Sequence, residues 1–420
     1  MRMVIPPILA AKTNNGFIVQ HHLRPPAPGD STIRDRRSDT MTPTIHLALT
    51  HDWELRGDGS GDIEEIQFAP LRGLLDIYAR FGARTTILPD VMQQLAFRRL
   101  EDEHPELKPL ADSWDEHVLE AFRQGHDIQL HLHPQWLKAE YTNGRWHLSG
   151  DWSILNYHRA VALTMLADAK SYLENLLRPL DSSYRCLAFR AGALAAAPSD
   201  HLFESLVELG IELDVSIAGG LFVDSQTLQI NYRDCEETFA PFFPTLRDAR
   251  RVSTQAEPIV CVPLNHFYGS RREVTRQNIS LARQQLRRRT KRRNSNAGSE
   301  GSDPSPIEAQ RSTIGKVYEK LVRPSLKPKH FVSDTGRLNY PLMREMLSSI
   351  RQRARTTGLS QLPVVLTNHP KDIRDLEAIE RFVEDVAQAE DLRFITLTEI
   401  ARKIKSGEFQ VRTGSEKTSH

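Results

Sequence analysis

Residues 125–136 read GHDIQLHLHPQW. Ile128, Leu130 and Leu132 alternate with Gln129, His131 and His133, and Pro134 then breaks the pattern. Alternation of period two predicts a strand, and a strand turns His131 and His133 to the same face. Two imidazoles therefore stand side by side where the strand ends.

The segments around it set the fold class. TIHLALTHDWE reads as a strand that Met41 opens, FAPLRGLLDIYARFG as a helix and ARTTILP as a strand. SWDEHVLEAFRQG reads as a helix with Ser113 as its cap and Gly125 as its stop. After the histidine strand come the helix YHRAVALTMLADAKSYLENLL, the strand YRCLAFRAG, the helix SDHLFESLVELG capped by Ser199 or Asp200, and the strand IELDVSI. The rhythm resumes later with the helix YPLMREMLSSIRQRARTTG, the buried strand LPVVLTNHPKD, the helix LEAIERFVEDVAQ and the closing LRFITLTEIARKI. Strand and helix in turn predict an α/β fold with parallel strands and outer helices, either a barrel or a doubly wound sheet.

Composition agrees. The chain has 420 residues, 39% hydrophobic and 26% charged, with net charge +1. That balance gives no overall electrostatic case for nucleic acid or membrane. Cys186, Cys235 and Cys261 lie far apart without a CxxC, so neither a zinc knuckle nor a disulfide framework is expected. No apolar run approaches the ~20 residues of a membrane span, and two prolines interrupt the short apolar N-terminal patch. The expected location is cytoplasmic. Residues 1–40 read as a disordered extension, 269–330 as a basic and flexible insertion, and 407–420 as a disordered tail. The folded unit is then 41–268 with 331–406.

Titratable residues gather at the ends of strands: LTHDWE, LHLHP, LAFRAG and LTNHPKD. In parallel α/β folds the carboxyl ends of strands converge on one mouth. Asp52 and Glu54 share a face, as do His131 and His133. Two such pairs offer carboxylate oxygens and imidazole nitrogens to one divalent ion, a donor mixture that suits Zn, Fe, Mn or Co. RGDGSGDIEE (56–65) is no calcium loop, because Ile63 stands where the turn glycine belongs and Ala69 where the closing glutamate belongs. It reads as a flexible loop over the mouth. Trp136, Trp146 and Trp152 offer either a stacking platform for sugar rings or loop packing.

On these residues the chain resembles the polysaccharide deacetylase (NodB-homology) superfamily, over 45–268 and 331–403. The resemblance implies a distorted (β/α) barrel of about seven strands and removal of an acetyl group from an amino sugar. It places Asp52 of THDWE as catalytic base. Where the family has a second aspartate stands Trp53, so the ligand role passes to Glu54. GHDIQLH makes His131 a metal ligand. The family's next histidine is Gln135 here, and the second ligand is assigned to His133. FRAG keeps the motif's arginine as Arg190, with Gly192 in place of proline, and VVLTNHPKD supplies His369 as general acid. One divalent ion, Zn first, and an acetylated sugar or glycan precursor are the implied cofactor and substrate. Two other readings remain: an amidohydrolase or PHP-type metal hydrolase using HxH, and an inactive glycan-binding barrel supported by Trp53. The basic run RRRTKRR (287–293) lacks the interleaved aromatics of a nucleic-acid contact, and no nucleic-acid partner is expected.

Overall fold

The computed structural model describes residues 42–281 and 329–414. The expected extension at 1–40, the run at 287–293 and the last residues of the tail lie outside this range. Strand β1, Thr44–Trp53, is buried along almost its whole length. It pairs in parallel with β2 (Thr86–Pro89), β8 (Gln361–Asn368) and β9 (Leu392–Phe394). The apolar run of β1 is what a strand covered on both faces requires. Its odd residues Ile45, Leu47 and Leu49 pack in one cluster with Leu342, Met346, Phe382 and Val386 of the outer helices. Its even residues are thereby turned inward, and with them Asp52 and Glu54.

Strand β2 passes on to β3 (Asp127–Ile128), and a second parallel sheet runs β4 (Leu130–Leu132), β5 (Ala188–Ala191), β6 (Leu213–Asp214) and β7 (Val260–Cys261). The single expected strand through the histidines is thus two short pieces parted at Gln129. This buried side chain supplies the missing bonds. Its Oε1 accepts from the main-chain N–H of Leu187 at 2.9 Å and Ala188 at 2.8 Å, and its Nε2 donates to Asp127. Parallel bridges Asp90–His131 and Leu264–Val365 then join the edges of the two sheets. Counting β3 and β4 as one, β8, β1, β2, β3/β4, β5, β6 and β7 form a ring of seven parallel strands. The joints rest on single bridges rather than full ladders, which makes the barrel distorted.

Helices α1 (Ala69–Arg80), α2 (Val91–Leu100), α3 (Lys108–Arg123), α4 (Arg159–Leu177), α5 (Leu202–Glu208), α6 (Tyr340–Thr357), α7 (Leu376–Gln388) and α8 (Leu397–Lys405) connect the strands. Ser113 does not cap α3. The helix starts five residues earlier with Pro109 in its first turn, where a missing N–H costs nothing, and Gly125 at φ 84° ends the segment as expected. Ahead of α5, the Ser199 hydroxyl accepts from the N–H groups of His201 and Leu202. Thr396 and Glu399 close a capping box on α8. Strand His266–Gly269 pairs antiparallel with Lys329–Val332, so both ends of the segment expected as an insertion are stitched together. The backbone at 271–281 is helical. Among the described residues no helix is long and apolar enough to cross a membrane.

Candidate active site

The carboxyl ends of β1, β4, β5 and β8 meet at one mouth, and each of the six sequence-derived residues lies there. Trp53 does not. The alternation of β1 sends it outward, where it is fully buried against Phe68 and Trp114 and its Nε1 donates to the Gln67 oxygen at 2.9 Å. A side chain at 53 could not reach the mouth, so Trp53 gives no support to the inactive-barrel reading.

Glu54 is the meeting point. Its Oε2 lies 3.2 Å from His131 Nε2 and in closer contact with His133 Nε2. Ligand atoms of the three residues all fall within 4.8 Å of one another, and all three residues are buried. His131 Nδ1 sits 2.9 Å from the main-chain oxygen of Arg190 and donates to it, which leaves Nε2 as the nitrogen aimed at Glu54, a donor to the carboxylate in the metal-free protein and a ligand once its proton is lost. The main-chain N–H of His133 donates to Asp90 Oδ1 at 3.0 Å. Gly192 explains its own departure from the motif. A Cβ there would come 2.6 Å from the Leu132 oxygen and 2.9 Å from His133 Nδ1.

Beside this triad, Arg190 is fully buried and pairs with Asp52 Oδ1. The guanidinium also donates to Thr50 Oγ1 at 2.8 Å and to the Val215 oxygen at 3.2 Å. The other Asp52 oxygen lies 3.5 Å from His369 Nε2. His369 Nδ1 is in turn 2.8 Å from Asp334 Oδ2, which lies 3.3 Å from Arg337 Nε. Gln135, at the position of the family's histidine, reaches away from the triad and donates to the Gly57 oxygen at 2.6 Å.

Charges follow this geometry. Burial works against the Asp52 carboxylate, but Arg190 above all holds it below the usual range. Burial likewise opposes Glu54, and His133 and Lys371 carry it well below its usual value. Burial alone would lower His131, yet Glu54, Asp52 and Asp90 push it up to about 9. His369 is raised, against burial, mainly by Asp334. A metal bound here would displace the proton that these carboxylates hold on His131. The carboxylate and two imidazoles fit a divalent ion of the zinc type.

Three residues of the mouth escaped sequence reasoning. Lys371 Nζ lies 2.6 Å from Glu54 Oε1 and 2.9 Å from the Leu55 oxygen. Asp334 orients His369, and Asp90 anchors the turn at His133. Asp90 was findable, because ILPD is another strand ending on a carboxylate. Lys371 was findable too, because it lies in LTNHPKD two residues past His369, whereas nothing in the sequence couples Asp334 to His369 across 35 positions.

Two of the tryptophans pack within the fold, and the third, half-buried, stands beside the mouth. Trp136 is buried, and Trp146 stacks on Phe97 at 5.0 Å and 4°. Trp152 lies edge-on to His133 at 6.3 Å and covers Gly57, where a Cβ would collide with its ring at 1.9 Å. The loop from Arg56 is thereby seated on Trp152 and on Gln135, beside the mouth.

No protein-family model matches the chain, and no curated protein matches it. Solved structures similar to it include a protein of Mycobacterium smegmatis described as a polysaccharide deacetylase, 14% identical at TM-score 0.41, covering 95% of this chain and 100% of the other. Another, of Pseudomonas aeruginosa PAO1 and described likewise, is 11% identical at TM-score 0.41, covering 88% and 94%. An allantoinase is 12% identical at TM-score 0.40, covering 88% and 92%. At such identities and scores, what this chain does has to be read from its own residues.

Proposed function

We propose that this protein is a metal-dependent hydrolase that removes an acetyl or related acyl group from a sugar or polysaccharide precursor. One observation carries the reading: the buried convergence of Glu54, His131 and His133 next to the Asp52–Arg190 pair and His369. Glu54, His131 and His133 would hold one divalent ion, zinc first, with iron, manganese or cobalt also suited to the donors. Such an ion, when bound, supplies Lewis-acid polarisation of a carbonyl and a more acidic water.

The remaining chemistry belongs to the side chains. Asp52, kept ionised by Arg190, accepts the proton of the attacking water. Arg190 is held by Thr50 and the Val215 oxygen, so it fixes the carboxylate as well as charging it. His369, raised by Asp334, holds its proton to higher pH than a free imidazole and donates it to the departing amine or alcohol. A cavity of about 660 Å³ reaches His369, Asp334 and Thr367 and gives the substrate its approach.

Metal content by mass spectrometry, wild type against a folded His131→Ala/His133→Ala variant, tests the triad. About one equivalent per chain in the wild type and none in the variant is expected. Acetate release from an N-acetylated sugar, run beside hydrolysis of a phosphoester, tests the reaction. Phosphoester hydrolysis alone would replace the deacetylase reading with the amidohydrolase or PHP type. Metal in neither protein, even after reconstitution, would end the hydrolase reading.

A further inference from the structure

The cavity that reaches His369 carries cations the proposed reaction does not use: Lys329, Arg337 and Arg374. Arg337 is occupied, 3.3 Å from Asp334 and 2.5 Å from Asp372. Arg374 is not. It is exposed, its Nη1 donates to the main-chain oxygen of Arg337 at 3.0 Å, and it has no ion pair among the described residues. One of its five N–H donors is thus used. Lys329 also lines the cavity, with its ammonium 5.1 Å over the Phe331 ring.

An oxyanion entering this cavity meets the unused N–H donors of Arg374 and the ammonium of Lys329, and hydrogen bonds between such charged groups are the strong kind. We infer that the sugar recognised here carries an oxyanion, a phosphate or a carboxylate, which Arg374 and Lys329 take up while its acyl group lies at His369. The inference rests on the deacylase reading for the nature of the sugar, but its charge selectivity can be measured apart from turnover.

Calorimetric titration of the full chain with N-acetylglucosamine, N-acetylglucosamine 1-phosphate and N-acetylmuramic acid separates the possibilities. Anionic sugar is expected to bind roughly ten-fold tighter than the neutral one, the size of one charge-assisted contact. Whichever anionic sugar is preferred identifies the oxyanion. The preference should shrink as salt is raised and vanish in Arg374→Ala, with Arg374→Lys keeping part of it. Equal affinity for all three sugars, or binding of none, overturns the inference. Acetate release is read separately. Selective binding without release sinks the deacylase reading and leaves the charge selectivity standing, whereas equal binding with release does the reverse.

Discussion

The ring Nδ1 of His131 lies 2.9 Å from the main-chain oxygen of Arg190, whose own side chain pairs with Asp52. A single residue of β5 therefore orients a metal-ligand candidate with its backbone and the catalytic-base candidate with its guanidinium. The parallel register of β4 and β5, with His131 opposite Arg190, imposes this arrangement.

Asp52→Asn should separate metal binding from turnover. Asp52 lies outside the Glu54, His131 and His133 group, so metal content is expected to stay at the wild-type level. Turnover should fall by about 10²–10⁴-fold, the usual weight of a general base. Full turnover in this variant would remove Asp52 from the mechanism.

Gly192→Ala should damage the metal site without touching a ligand. The new methyl group would crowd the Leu132 oxygen and His133 Nδ1. Metal affinity is expected to drop by about 10–100-fold, as when a ligand's supporting contacts are lost, with roughly 1–3 kcal/mol of stability. Metal titration and urea denaturation read the two effects.

Trp53→Asp, which restores the aspartate pair of the family motif, should not restore a ligand. Residue 53 faces Phe68 and Trp114, away from Glu54. The expected result is a loss of about 3–5 kcal/mol from the emptied core, seen as a lower denaturation midpoint. Tighter metal binding by this variant would contradict the outward placement of Trp53.

The stability of the metal-free protein should depend on pH through His131. Its imidazole titrates near 9 in the fold against an ordinary 6.5. A base raised by folding holds its proton more tightly folded than unfolded. Its contribution is thus complete below pH 6.5 and is lost as pH rises through about 9, at most roughly 3 kcal/mol. Thermal melts of chelator-treated protein should show this decline. Metal-loaded protein should not follow it, because ligation takes the place of the proton.

Much of this was legible in the sequence because period and strand ends are local properties. The alternation at 128–133 put His131 and His133 on one face, and the spacing of Asp52 and Glu54 did the same for β1. The strand–helix rhythm, with the resemblance, led to a seven-strand parallel barrel, and the ring of strands matches it. Local signals failed where backbone geometry competes. Pro109 moved the start of α3 away from Ser113, and Gln129 cut the histidine strand in two by bonding to β5. Of the loop tryptophans, which the sequence left open between packing and a sugar platform, Trp146 stacks on Phe97 and Trp152 covers Gly57 beside His133.

The sequence by itself determined which side chains point inward, since residue spacing along a strand decides that before any tertiary contact forms. Only the tertiary structure decided which inward side chains meet. Lys371 reaches Glu54 across 317 positions and Asp334 reaches His369 across 35. These meetings depend on how the ring of strands closes, and closure is a property of the whole chain's packing rather than of any one segment.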